Sequence, residues 1–91
     1  VVICIFDKSS MKEYINLQTV LRTAGISTEI YPGEGKLKKQ MEYANKIKSP
    51  AVILYGENEI ETGKPTLRNL ASGDEKSITI KELVNEIKKI I

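Results

Sequence analysis

The sequence predicts an α/β domain with a mixed, largely parallel five-stranded sheet flanked by three helices. Two continuous β-branched apolar runs, Val1 to Phe6 and Ala51 to Gly56, read as strands buried on both faces. Segments of helical spacing separate the strand-like runs, and the order strand, helix, strand, helix, strand requires right-handed parallel crossovers. After the second apolar run, the next connection is too short and too polar for another crossover helix, so the chain should return antiparallel.

Val1-Val2-Ile3-Cys4-Ile5-Phe6 shows no alternation, as expected of a central strand in a parallel sheet. Ser10-Met11-Lys12-Glu13 has capping-box spacing, and Tyr14, Leu17, Leu21 and Ala24 follow at helical intervals until Gly25 stops the run. Ile26 to Tyr31 alternates apolar with polar, which suits a strand at or near an edge, and Pro32-Gly33 closes it. Beyond Gly33-Glu34-Gly35, the residues Leu37, Met41, Ala44 and Ile47 form the stripe of a short, basic second helix ending at Ser49-Pro50. Ala51 to Gly56 is the third strand, Glu57 to Gly63 a polar hairpin connection, and Pro65 to Leu70 the antiparallel partner. Ser72-Gly73-Asp74-Glu75-Lys76 reads as a turn into a brief fifth strand at Ser77-Ile78. Thr79-Ile80-Lys81-Glu82 is a second capping box, and Ile80, Leu83, Val84, Ile87 and Ile91 share the face on which a last helix docks.

A chain of 91 residues holds one small core, and 41% apolar with 29% charged residues speaks against disorder, collagen-like repeats and coiled coil. The longest apolar run, Val1 to Phe6, is far below the roughly 20 residues of a membrane-spanning helix and carries no basic leader or cleavage site. Because the chain starts with Val inside a strand-like run, excision from a larger protein is expected. One cysteine precludes an internal disulfide. With no histidine there is no credible zinc, copper or haem ligand set and no imidazole base. A net charge of +2 does not mark a nucleic-acid binder by itself, so the distribution of charge has to be read instead.

Gly33, Gly35 and Lys36 precede a helix, where free N–H groups favour an anion, although neither a GxxxxGK[ST] nor a GxGxxG run is present. Lys36, Lys38, Lys39, Lys46 and Lys48 make the densest run of cations, a solvated face or a phosphate-attracting one, with Tyr31 and Tyr43 near enough in sequence to stack on bases or to lie half-buried. Glu57, Glu59 and Glu61 cluster after the third strand, at the edge where parallel sheets place ligands. On a hairpin they would spread apart, which disfavours calcium or magnesium. A carboxylate there could instead accept the N1–H and N2–H₂ donors of an unpaired guanine, with Arg68 offering its fork to O6/N7 or to a phosphate. Cys4, inside a buried run, reads as a core residue, and Asp7 does not fit the strand positions of a phospho-acceptor receiver. No nucleophile elbow supports acyl transfer, so no catalytic residue is assigned.

Leu37-Lys38-Lys39-Gln40-Met41-Glu42-Tyr43-Ala44-Asn45-Lys46, then Ser49-Pro50, Val52-Ile53-Leu54-Tyr55-Gly56-Glu57-Asn58-Glu59, Gly63-Lys64, and Thr66-Leu67-Arg68-Asn69-Leu70 with Ser72-Gly73, resembles the anticodon-binding domain of histidyl-tRNA synthetases. The resemblance runs over nearly the whole chain. It implies one anticodon-binding domain over residues 1–91, from the carboxyl end of a class II synthetase. Glu59 matches the second acid of a Gly-Glu-x-Glu motif, Arg68 a position that is basic in threonyl relatives, and Glu34 and Lys36 the loop approaching the anticodon backbone. With Lys39 of the basic helix and Glu57 of the same acidic motif, these are the expected RNA-binding residues. Two departures stand out: Pro65 replaces a β-branched residue, and Glu75 stands where Gln is common, neither touching Glu59 or Arg68 in sequence.

The resemblance further implies a cytoplasmic, homodimeric, ATP- and Mg²⁺-dependent parent ligase, with no cofactor in this domain, no membrane association, and histidine tRNA and the parent's catalytic domain as partners. A regulatory or protein-interaction paralogue, of the kind that assists ATP phosphoribosyltransferase, is the alternative. A small-molecule domain using the loop from Gly33 to Lys36 is a weaker one.

Overall fold

Val2, Ile3 and Cys4 are fully buried and form β1 (Val2–Cys4), an interior strand with a neighbour on each side. The computed structural model describes residues 1–6, 8–33 and 35–91. Beside β1 lie β2 (Glu29–Ile30) and β3 (Ala51–Leu54), both parallel to it. β4 (Thr66–Asn69) returns antiparallel to β3, and β5 (Glu75–Ser77) pairs antiparallel with β4. The sheet order β2-β1-β3-β4-β5 is the expected mixed, five-stranded arrangement, with the alternating segment at one edge. Pro65, which has no N–H to give a ladder, is buried one residue before β4 begins.

Register decides which side chains share a face. Ile3, Ile53 and Leu67 lie across from one another, and α1 (Met11–Thr23) and α4 (Ile80–Ile90) cover them with Tyr14, Leu17, Leu21, Leu83 and Ile87. Val2, Cys4 and Val52 point the other way, where α2 (Leu37–Lys46) packs Ala44 against them. Ile47 does not complete that stripe, being 45% exposed beyond the end of α2.

Among the described residues the flanking α-helices number four rather than three. Glu57 to Thr62, expected as a bare connection, form α3 (Glu57–Thr62). The Glu59 carboxylate accepts from the Gly56 N–H at 3.2 Å, and acids at Glu57 and Glu59 suit the positive end of the helix. Only Ile60 of this helix joins the core, so no apolar stripe announced it. At Thr79 the N-cap forms, with Glu82 N–H donating to Thr79 Oγ1 and the Glu82 carboxylate accepting from the Thr79 hydroxyl, whereas Ser10 makes no side-chain cap and a 3-10 turn (Lys8–Ser10) leads into α1 instead.

Three helices end in the same motif, in which a left-handed residue lets two further N–H groups close back onto the last turn. Gly25 and Gly63 serve α1 and α3. For α2 the left-handed residue is Lys48 (φ 59°), with Lys48 N–H donating to Asn45 O and Ser49 N–H to Ala44 O. A side chain at that φ costs about 1 kcal/mol. Lys48→Gly should therefore raise the urea-unfolding stability of the domain by up to about 1 kcal/mol.

At the other end of the sheet, Glu86 of α4 accepts from Lys76 of β5 at 3.2 Å and from Lys89 at 3.3 Å. Those bonds, Lys76 first, hold its carboxyl below the usual 4.5. A carboxyl depressed by folding contributes stability that is complete above the unfolded value and lost as pH falls through the folded one. Thermal melts below about pH 4.5 should accordingly decline less steeply in Glu86→Gln than in the parent chain.

Candidate functional site

β1 stops pairing at Cys4, yet the chain continues to the rim of the sheet, and the backbone groups of Ile5 need other partners. Gln40 of α2, only 1% exposed, supplies both: Ile5 N–H donates to its Oε1 at 2.8 Å, and its Nε2 donates to Ile5 O at 2.7 Å. The same Nε2 reaches Gly35 O at 3.2 Å, tying the loop before α2 to the end of β1. Phe6 N–H donates to the Tyr14 hydroxyl at 3.0 Å. Helices from both faces thus fix residues 5 and 6.

Phe6 follows and is 49% exposed. It lies along Gly56, where a methyl group would stand 3.4 Å from the ring and equally 3.4 Å from Glu59 Oε1. On its other side Ile5, Phe6, Gly35, Lys36, Leu37 and Gln40 line an open cleft of about 350 Å³. Gly35 (φ 148°) is required there, since a Cβ would sit 2.7 Å from Lys39 Cδ, whose aliphatic stem crosses the loop. Lys36, Lys38 and Lys39 crowd the start of α2, which has neither an acid in its first turn nor a side-chain cap. An exposed aromatic face, cations at a positive helix end and a carboxylate rim can stack a planar ring, attract an anion and accept N–H donors.

The family model described as "Anticodon binding domain" matches residues 1–90. The chain belongs to the anticodon-binding domain family. It is 40% identical to the histidine–tRNA ligase of Cytophaga hutchinsonii, over 93% of this chain and 19% of that protein. It is also 40% identical to that of Pelagibacter ubique, over 100% of this chain and 21% of the other. The crystal structure of histidyl-tRNA synthetase from Nostoc sp. superposes with a TM-score of 0.92 at 26% identity, covering 97% of this chain and 21% of that one. The chain thus spans about a fifth of the length of the relatives it matches.

Within this anticodon-binding domain, Lys36, Lys39, Glu57 and Glu59 gather at the rim around Phe6. Glu34 lies outside the described residues. Arg68 is set apart, opposite Val52 and two residues down β4 from the rim. Its Nη1 donates to Glu75 Oε1 at 3.1 Å, so the departure at Glu75 does touch Arg68. The run of five lysines is two groups, because α2 places Lys46 and Lys48 at its far end, about 15 Å from Lys36. Glu57 and Glu61 share a side of α3 while Glu59 turns back to its cap, and no cluster of metal-ligating side chains occurs among the described residues. Tyr31 is buried and offers no platform, while Tyr43 is half-buried, meets the Tyr31 ring edge-on at 5.4 Å and donates its hydroxyl to Glu29. Burial pushes the Cys4 thiol up to about 11, which leaves it protonated and inert.

Sequence reasoning assigned no role to Phe6 or Gln40. The signals were an aromatic ending an otherwise buried run, and a glutamine at a helix position that Leu37 and Ala44 mark as inward. Gln40→Leu would leave Ile5 N–H, Ile5 O and Gly35 O without this partner, and should lower unfolding stability by about 1–3 kcal/mol in urea titration.

Proposed function

We propose that this domain reads the anticodon loop of a histidine-accepting tRNA as the recognition end of a histidine–tRNA ligase. The observation that carries the reading is Phe6, a half-exposed ring pinned at the sheet rim between the lysines of the α2 start and the Glu59 carboxylate. In this reading an unstacked base lies on Phe6, Lys36 and Lys39 hold the flanking phosphates, and Glu57 and Glu59 accept base N–H donors. Capping Gly56 does not exhaust Glu59, because a carboxylate has about four lone-pair sites. Arg68 contributes a planar fork from the neighbouring strand. The histidine type rests on the 40% identity to histidine–tRNA ligases. We infer that the rest of the parent, a cytoplasmic homodimer, supplies the catalytic domain with its ATP and Mg²⁺.

The test is a filter-binding titration of the 91-residue chain against histidine tRNA and an anticodon-swapped control. Cognate binding should be the tighter, and equal binding overturns the reading. Phe6→Ala should cost about 1–3 kcal/mol of affinity. Lys36→Ala and Lys39→Ala should weaken both RNAs alike, each reducing the slope of log affinity against log salt by about 0.7.

A further inference from the structure

Residues directly opposite one another on antiparallel strands share a face. Arg68 stands opposite both Val52 and Glu75, and Thr66 opposite both Leu54 and Ser77, so all four polar residues of this set lie on the α2 side of the sheet. Leu70, two residues beyond Arg68, joins the cluster under α2, whereas Arg68 and Thr66 are half-buried and Glu75 and Ser77 are exposed. They form a polar shelf of two rungs, with Thr66 Oγ1 3.0 Å from Ser77 Oγ and the Arg68–Glu75 pair next to it. The two charged side chains are 38% and 44% exposed, so this ion pair is open to a ligand.

We propose that Glu75 is a positioning residue that turns Arg68 from a phosphate clamp into a reader of base edges. An unpaired arginine would take any phosphate of a single-stranded RNA, because its fork fits two oxygens. A phosphate arriving at the Arg68–Glu75 pair meets a cation already neutralised by a carboxylate, and whether it shares the fork or displaces Glu75 it brings its own negative charge beside that one. A base edge that presents an acceptor beside an N–H donor satisfies both members at once, the acceptor to Arg68 and the donor to Glu75. Selectivity therefore comes from a repulsive element as much as an attractive one. This inference rests on the RNA-binding reading above and names how one part of that surface discriminates.

Glu75→Gln, tested by the same titration with cognate and anticodon-swapped RNA, separates the possibilities. The swapped RNA should bind about threefold to fivefold more tightly, within the range of an exposed ion pair, and with a steeper salt dependence. Cognate affinity should change less, so discrimination falls. In an Arg68→Ala background Glu75→Gln should have no effect, and Asp74→Asn, which removes a neighbouring acid outside the pair, should not reproduce it. Retained discrimination in Glu75→Gln, the same gain in Asp74→Asn, or persistence of the gain without Arg68 overturns the role of Glu75. Absence of discrimination in the unsubstituted chain overturns the RNA reading itself, which separates the two failures.

Discussion

The rim of this domain depends on one glutamine. A parallel strand that outruns its neighbours leaves N–H and C=O groups with no ladder, and burying them unpaired costs about 1–3 kcal/mol each. Gln40 fills that position for Ile5 as a side-chain stand-in for a strand partner. Because it sits on the buried side of α2, the same bonds fix how α2 is rotated and how far its first turn reaches along β1. The third bond, to Gly35, carries the constraint into the loop. Phe6, Lys36 and Lys39 are exposed side chains, but the backbone that aims them is held from the interior.

The uneven layering has a geometric origin. Strands lie about 4.8 Å apart and a helix with its side chains is about 10 Å wide, so one helix covers roughly two strands. Two helices, α1 and α4, with Ile60 of α3 beside them, pack on one face, whereas among the described residues α2 alone packs on the other, over β1 and β3, leaving β4 and β5 less covered there. A less covered sheet face must be polar, and Thr66, Arg68, Glu75 and Ser77 make it so. Lys76, on the opposite face of β5, bonds instead to Glu86 of α4, as the alternation requires.

How much of this was legible in the sequence follows from what each feature depends on. The order of elements along the chain was legible because the runs at Val1 and Ala51 and the stripes of α1, α2 and α4 carry their burial in their periodicity. α3 was not, because it is held by a local cap and a terminal glycine rather than by an apolar face. The acidic motif and the lysines were visible as residue types, but their grouping was not. A helix 10 residues long separates Lys36 from Lys46, while β1 and β3, distant in sequence, bring Phe6 to Gly56. The contact between Arg68 and Glu75 depends on the register of β5, a three-residue strand that begins two residues before the Ser77-Ile78 strand the sequence suggests, in a stretch that reads as a turn.

Charge placement adds an argument that total charge conceals. α1, α3 and α4 each carry an acid in the first turn, and α1 and α4 carry base in the last, which is the arrangement the helix dipole favours. α2 alone reverses its start, with Lys36 at the cap, Lys38 and Lys39 in the first turn and no acid. Each misplaced cation costs the helix about 0.3–1 kcal/mol. Lys12 beside Glu13 and Lys81 beside Glu82 balance the first turns of α1 and α4, and α3 carries acids alone, so α2 is the helix whose first turn holds cations without an acid, where the loop meets the cleft beside Phe6. A ligand that carries negative charge to that point would offset the cost, and a phosphate backbone carries one charge with every unpaired base it delivers to the ring.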